Sequence, residues 1–131
     1  MRIVVDASAA IEVALNRRGA AALIEALAVA EEVLAPDLFI AEVTNVIWKY
    51  HHFENLDLAT CEQAVAVAVQ IPDALICSRD LHREAFLLAR SCGRAVYDMF
   101  YLALAQREDA SLVTLDSAFR KLAKKQSVRV L

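Results

Sequence analysis

The chain has 131 residues, of which 59% are hydrophobic, and its 14 lysines and arginines oppose 17 aspartates and glutamates for a formal net charge of −3. This length fits a single domain over residues 1–131, the apolar content excludes a disordered chain, and the acidic balance excludes binding to nucleic acid by overall charge alone. Charged or polar residues interrupt every long apolar stretch, so we expect a soluble protein with no membrane span.

Short apolar runs that end at a turn residue alternate along the chain with segments of helical spacing. In chain order the predicted elements are a strand at 3–5, helices at 9–15 and 20–30, a strand at 33–35, helices at 37–52 and 57–70, a strand at 74–77, a helix from Ser78 or Asp80 to Gly93, a helix at 97–108, a strand at 111–115, a helix at 117–124 and a strand at 128–131. Because strands and helices alternate, we expect an α/β fold with a mainly parallel sheet covered by helices.

A few residues punctuate these elements. Gly19 separates the first two helices, Pro36 stops the second strand, and Gly93 is placed to end a helix as its C-cap. Asp57 and Thr60 are both candidates for the N-cap of the helix at 57–70. Only two glycines and two prolines occur in the chain, so we expect no flexible linker between domains.

The cysteines and the first residues predict a cytoplasmic protein. Cys61, Cys77 and Cys92 lack metal-ligand spacing and stand among apolar residues, so we expect them to be buried and reduced. Only three apolar residues separate Arg2 from Asp6, and a signal peptide needs a longer apolar region.

Four carboxylates interrupt apolar sequence where this plan brings them towards one edge of the sheet. Asp6 follows the first strand, Asp116 follows the fourth, and Asp98 stands near the start of a helix. Glu42 lies just over one turn into the helix after the second strand. Parallel sheets bind ligands outside the carboxyl ends of their strands. Because converging carboxylates repel one another unless a cation compensates them, the pattern predicts a site for Mg²⁺ or Mn²⁺.

Each acid also has a local structural alternative. Asp6, Asp98 and Asp116 stand where an aspartate commonly caps a helix. Glu42 has no use as a cap, although a buried pair with a lysine or arginine would explain it. All four acids fall at element ends in one short domain, and this joint pattern favours a metal site over separate caps.

The segments that contain these acids form a set that spans almost the whole chain. They are residues 3–8 (IVVDAS), the pair 35–36 (AP) with residues 41–45 (AEVTN), residues 97–105 (YDMFYLALA) and residues 112–116 (LVTLD). In order and spacing, this set resembles the motifs of the PIN-domain ribonucleases, and specifically the short single-domain VapC-type toxins.

The resemblance implies a three-layer α/β/α sandwich with a central, mainly parallel sheet. It implies a ribonuclease whose metal ligands and catalytic acids, for Mg²⁺ or Mn²⁺, are Asp6, Glu42, Asp98 and Asp116. In the implied reaction, water attacks an RNA phosphodiester in line, Asp98 or Asp116 accepts its proton, and the products carry a 5′ phosphate and a 3′ hydroxyl.

Three further positions match the family. The resemblance implies that Ser8 binds metal-bound water or a phosphate, that the Thr114 hydroxyl supports the ligands, and that Asn45 orients Glu42. The alternative for all three is local hydrogen bonding with the backbone.

Several partners also follow from the resemblance, since VapC-type toxins form dimers and are blocked by a cognate antitoxin whose C-terminal segment occludes the acids. We therefore expect an RNA substrate, an antitoxin and a homodimer. Because RNA must approach an acidic chain, local basic residues matter, and three lysines that follow Asp116 are the candidates: Lys121, Lys124 and Lys125. The alternative for these lysines is a solvated helix face.

Other functions compete with this interpretation. An inactive PIN-like module that binds protein or RNA is the main alternative, and it would lack metal binding. A phosphoryl-accepting receiver domain needs an aspartate on the third strand, where Cys77 and Ser78 stand. A haloacid-dehalogenase-like phosphatase needs a second aspartate two residues after Asp6, where Ser8 stands.

Overall fold

Four short parallel strands form the centre of the fold in the computed structural model, which describes residues 1–131. They are β1 (Arg2–Val5), β2 (Glu32–Pro36), β3 (Ala74–Ile76) and β4 (Ser111–Val113). Their order across the sheet is β3-β2-β1-β4, and every neighbouring pair is parallel. The strand order therefore reverses between β1 and β4, which is where an open parallel sheet binds its ligands.

Seven α-helices connect and cover the strands. They are α1 (Ala7–Ala14), α2 (Ala20–Ala28), α3 (Leu38–Glu54), α4 (Leu58–Ala68), α5 (His82–Cys92), α6 (Val96–Arg107) and α7 (Ser117–Lys125). Helices α1 to α4 pack against one another. Helix α6 packs on β1, β2 and β4, and α5 packs against α6. The chain crosses the sheet in one direction from β1 to β3 and in the other from β3 to β4. Because such parallel connections are right-handed, the two groups of helices cover opposite faces of the sheet. The predicted α/β/α sandwich is confirmed.

No helix is long and apolar enough to span a membrane.

The core forms where helices cover both faces of the central strand. Ile3, Val4 and Val5 of β1 are fully buried, as expected for a β-branched run in a parallel sheet. Helix α6 crosses β1, β2 and β4 and buries Met99 and Tyr101. Because this helix is fixed by the core, the side chains in its first turn are held at the carboxyl edge of the sheet.

Three predicted features differ in the structure. Residues 128–131 do not form a strand, because only Val130 makes a single parallel bridge, with Leu112 of the short strand β4. Cys61 is buried as expected, but Cys92 is only half-buried, and Cys77 is exposed because it follows the edge strand β3. The helix expected from Ser78 or Asp80 begins at His82, after a 3-10 turn over Ser78–Asp80.

The two glycines provide a matched test of backbone conformation. Gly93 ends α5 with φ +64, a left-handed conformation that strains alanine, whereas Gly19 has φ −85. We expect Gly93→Ala to lower the free energy of unfolding by about 1 kcal/mol. Gly19→Ala should leave it unchanged or slightly raised, because the added Cβ would lie 3.5 Å from Glu12 Cγ. Urea denaturation of both variants measures the difference, and equal losses would contradict it.

Candidate active site

One cavity of about 330 Å³ opens at the carboxyl ends of β1 and β4, where the strand order reverses. The structure brings all four predicted acids into its lining: Asp6, Glu42, Asp98 and Asp116. Asp6 comes from the end of β1, Asp116 from the loop after β4, and the other two from α3 and the first turn of α6. Glu12 lines it as a fifth acidic residue, and we call this cavity the acidic cleft.

Asp6 is the most buried of the acids, and the residue is 8% exposed. Its Oδ1 accepts hydrogen bonds from Ser8 Oγ at 2.6 Å and from the backbone N–H of Ala9 at 3.0 Å. Its Oδ2 accepts a hydrogen bond from Thr114 Oγ1. Since a carboxylate has about four acceptor positions, these three donors fix its orientation and leave one position open.

The two hydroxyls that hold Asp6 are themselves held by backbone from the end of β4. The N–H of Leu115 donates to Ser8 Oγ at 3.0 Å, and the N–H of Asp116 donates to Thr114 Oγ1 at 3.1 Å. Each hydroxyl therefore accepts from the backbone and turns its own hydrogen towards Asp6. This arrangement supports the predicted positioning role of Thr114, while Ser8 contacts the carboxylate of Asp6.

Glu42 is held from the opposite side of the acidic cleft. The buried hydroxyl of Tyr101, one turn after Asp98 on α6, donates to Glu42 Oε1 at 2.6 Å. Burial, together with the negative charge of Glu42, raises the pKa of Tyr101 well above its usual range. The phenol therefore keeps its proton at neutral pH and donates a hydrogen bond to Glu42.

Asp98 and Asp116 have different surroundings. Arg94, in the turn that joins α5 to α6, lies 3.1 Å from Asp98 Oδ2. Asp116 is exposed, and its Oδ1 accepts a hydrogen bond from the N–H of Phe119 at 3.0 Å, which caps α7. Each carboxylate thus uses one oxygen in a contact with the protein and keeps the other available to the cleft.

The acids of the cleft perturb one another. Burial raises the pKa of Asp6, with a smaller contribution from the charge of Asp98, although the hydrogen bonds from Ser8 and Thr114 oppose the shift. Burial also raises the pKa of Glu42, and the charges of Asp98 and Asp6 add to the effect.

The pKa of Asp98 is raised as well, mainly by burial, although Arg94 opposes the shift more strongly than Asp116 adds to it. A bound cation would stabilise these carboxylates, because they are desolvated and repel one another at neutral pH.

The chemistry of these donors fits a hard divalent cation, because all are carboxylate oxygens. As oriented here, no group of three or more His, Cys, Asp and Glu side chains is close enough to hold one ion. Glu42 faces Tyr101, and Asp98 faces Arg94. Mg²⁺, however, commonly binds through only one or two carboxylates and keeps several waters. Asp6 with one neighbouring acid meets that requirement.

Two of the four acids do cap helices, as the structural alternative predicted, and both also line the acidic cleft. Asp6 caps α1 through the Ala9 N–H, and Asp116 caps α7, yet both line the cavity. Asp98 is not a cap, since α6 begins two residues earlier at Val96.

Other predicted residues lie outside the acidic cleft. The structure contradicts the expectation that Asn45 orients Glu42, because Asn45 is exposed on α3 and Tyr101 makes that contact. The three lysines of α7 are exposed and none lines the cavity, so their role in binding RNA stays a prediction: Lys121, Lys124 and Lys125.

Sequence reasoning did not assign three residues that the structure places at the site. Tyr101 follows Asp98 by three residues, so helical spacing was a usable signal for it. Arg94 precedes Asp98 by four residues, a spacing that also predicts contact on a continuous helix. Arg17 lies in a loop, so no helical spacing indicated its neighbours, and its charge was the only feature that pointed to it.

Comparisons with known proteins agree with this geometry. Residues 3–125 match the family model of the PIN domain. The chain is 32% identical over 127 residues to Ribonuclease VapC3 of Pyrobaculum aerophilum, and the alignment covers 95% of each chain. The fold is similar to the crystal structure of PAE2754 from Pyrobaculum aerophilum, with a TM-score of 0.71 and 22% identity, over 99% of this chain and 83% of that one.

Proposed function

Because the chain belongs to the PIN-domain family, we propose that it is a ribonuclease that hydrolyses RNA phosphodiester bonds with the help of Mg²⁺ or Mn²⁺. The observation that carries this proposal is the meeting of four carboxylates in one cleft at the point where strand order reverses. The relative from Pyrobaculum aerophilum is named as a ribonuclease, which agrees with the proposal.

The same acids would hold the cation, with Asp6 as the central ligand because its orientation is fixed by three hydrogen bonds. Asp98, Glu42 and Asp116 line the same cleft and are the candidates for further ligands, except for the acid that accepts the proton of the water. A bound divalent cation lowers the pKa of the attacking water and neutralises phosphate charge. Ser8 and Thr114 hold the carboxylate of Asp6 in place and so preserve the affinity of the site.

One acid must accept the proton of the attacking water. Asp98 is suited to this role because its pKa is raised and one of its oxygens is not engaged by Arg94. Asp116 is the second candidate, since it is exposed at the mouth of the cleft. As the water attacks phosphorus, the bond to the 3′ oxygen breaks and that oxygen takes up a proton. The products carry a 5′ phosphate and a 3′ hydroxyl.

We also propose that the protein is the toxin of a VapC-type pair, acts in the cytoplasm, and binds a cognate antitoxin and a second copy of itself. The name of the relative supports the toxin role. An exposed apolar face on α3 and α4 offers area for a protein partner, because Trp48, Phe53 and Leu58 are 50%, 68% and 58% exposed. Induced expression of the wild type should arrest bacterial growth, whereas expression of Asp98→Asn should not. Light scattering measures the molar mass in solution and so tests the dimer.

The test of the ribonuclease is RNA cleavage by the purified protein with Mn²⁺, with Mg²⁺ and with EDTA. We expect cleavage only with a divalent cation, and a loss of at least about a hundredfold in Asp98→Asn purified in the same way. A 5′-phosphate-dependent exonuclease should degrade the fragments, which distinguishes this reaction from contaminating nucleases that leave 5′ hydroxyls. No cleavage, together with no metal binding by calorimetry, would favour the inactive binding module.

A further inference from the structure

Arg17 is the single basic residue in the lining of the acidic cleft. It lies in the loop between α1 and α2, and Tyr50 of α3 lines the same cavity beside it. A positive side chain at the mouth of an acidic cleft is the group that a phosphodiester substrate would meet first, since the acids themselves repel it.

The guanidinium of Arg17 is held against Tyr50. Its Cζ lies 4.6 Å from the centroid of the Tyr50 ring, and its Nη1 donates to the Tyr50 hydroxyl at 3.3 Å. The loop is fixed as well, because the N–H of Arg17 donates to the carbonyl of Glu12 at 3.0 Å and Asn16 adopts φ +50, which asparagine tolerates. Stacking and backbone contacts reduce the entropy that the side chain loses when it binds a ligand.

Arg17 has no ion-pair partner, unlike the four arginines that pair with carboxylates: Arg2, Arg94, Arg107 and Arg129. It uses one donor on Tyr50 and makes no other side-chain hydrogen bond, so most of its five N–H groups are free. A planar guanidinium with free donors matches the oxygens of a phosphate, which it can contact through two parallel hydrogen bonds.

We propose that Arg17, held by Tyr50, binds a phosphate of the RNA strand next to the bond that is cut, and so positions the substrate in the acidic cleft. This inference rests on the proposed ribonuclease function. Its contact is made in both the ground state and the transition state, because the phosphate that it holds is not the one that reacts. Loss of Arg17 should therefore weaken binding more than the chemical step.

Arg18 provides a matched control, since it is the next residue, carries the same charge, is exposed and does not line the cleft. RNA binding is measured by fluorescence anisotropy with labelled single-stranded RNA, in the Asp98→Asn background with Mg²⁺ present, so that no cleavage occurs. We expect Arg17→Gln to weaken RNA binding about tenfold or more, and Arg18→Gln to weaken it by less than about threefold.

Kinetics of the otherwise wild-type protein separate binding from chemistry. Arg17→Gln should raise KM about tenfold with kcat within about threefold of the wild type. Arg17→Lys should give an intermediate effect, because it keeps the charge and loses the planar fork. Thermal shifts on addition of Mn²⁺ should be equal in the wild type and Arg17→Gln, which shows that the fold and the acids are intact.

The outcomes also separate this inference from the function on which it rests. Equal RNA affinities for Arg17→Gln and Arg18→Gln, with the wild type still cleaving RNA, would overturn the role of Arg17 alone. A wild-type protein that neither cleaves nor binds RNA would overturn the ribonuclease, and the role of Arg17 with it. A larger loss for Arg17→Gln than for Arg18→Gln, with unchanged thermal shifts, supports the inference.

Discussion

Replacing Asp6 by asparagine is expected to lower metal-dependent RNA cleavage by about a hundredfold or more. Asparagine keeps the shape of the side chain and one acceptor for Ser8 and Ala9, but it removes the charge that would bind the cation. Its amide would also present a donor to Thr114 Oγ1, which donates to Asp6 in the native protein. The initial rate of RNA cleavage at saturating Mn²⁺ measures the loss.

Asp37 gives the control for this experiment. It follows β2 at the same carboxyl edge of the sheet, but it lies outside the acidic cleft and accepts a hydrogen bond from the N–H of Ser78 at 3.2 Å. We expect Asp37→Asn to cleave RNA within about threefold of the wild-type rate. Comparable activity in Asp6→Asn and the wild type, with folding verified by circular dichroism, would show that Asp6 is not a ligand.

Without a divalent cation, the acidic cleft is expected to make the protein less stable as pH rises. The pKa values of Asp6, Glu42 and Asp98 are raised in the folded protein, so the folded state binds more protons than the unfolded state above roughly pH 4. The contribution of these groups to the free energy of unfolding is therefore fully present below their unfolded pKa. It is lost as pH rises through the folded pKa.

Glu42→Gln isolates this effect from the other titrating groups, because glutamine keeps an acceptor for Tyr101 and removes one charge. In EDTA, the variant and the wild type should be about equally stable near pH 4. The variant should be more stable by on the order of 1 kcal/mol at pH 7, after allowance for the partial exposure of Glu42. Urea denaturation across this pH range measures the difference.

A divalent cation should reverse the order of stability of the wild type and Glu42→Gln at pH 7. At a hundredfold excess over its dissociation constant, Mn²⁺ should stabilise the wild type by about 2.7 kcal/mol at pH 7, and less at pH 5, where protons compete for the carboxylates. Glu42→Gln should gain less from Mn²⁺ at pH 7 than the wild type does. A cation effect that is equal in both proteins and independent of pH would place the ion outside the acidic cleft.

Much of the fold could be predicted because short buried strands and the residues that end them leave local signals. The β-branched run before Asp6, the break at Gly19 and the C-cap at Gly93 are each determined by neighbours in sequence. The strand predicted at 128–131 was wrong, because an apolar run forms a strand only where a long enough partner is available. Its neighbour β4 has three residues, and only Val130 bridges to it.

The acids of the site could be found because carboxylates are conspicuous in apolar sequence, whereas their partners depend on packing between distant elements. Tyr101 reaches Glu42 across 59 positions of sequence, and Arg17 reaches Tyr50 across 33. Asn45 was assigned to Glu42 by spacing on one helix, but the neighbouring helix α6 supplied the contact. Helical spacing therefore relates Tyr101 to Asp98, but it does not show that Tyr101 contacts Glu42 on another helix.

The contact between Thr114 and Asp6 joins residues that are 108 positions apart, and Leu115 and Ser8 are 107 apart. During synthesis on the ribosome, Asp6 is made 108 residues before Thr114, so the segment that fixes its carboxylate emerges long after it. Until β4 pairs with β1, Asp6 lacks the hydroxyl of Thr114, and Ser8 lacks the N–H of Leu115 that holds it. A nascent chain therefore carries its acids without an assembled cleft, and this delay separates translation of the protein from the onset of its activity.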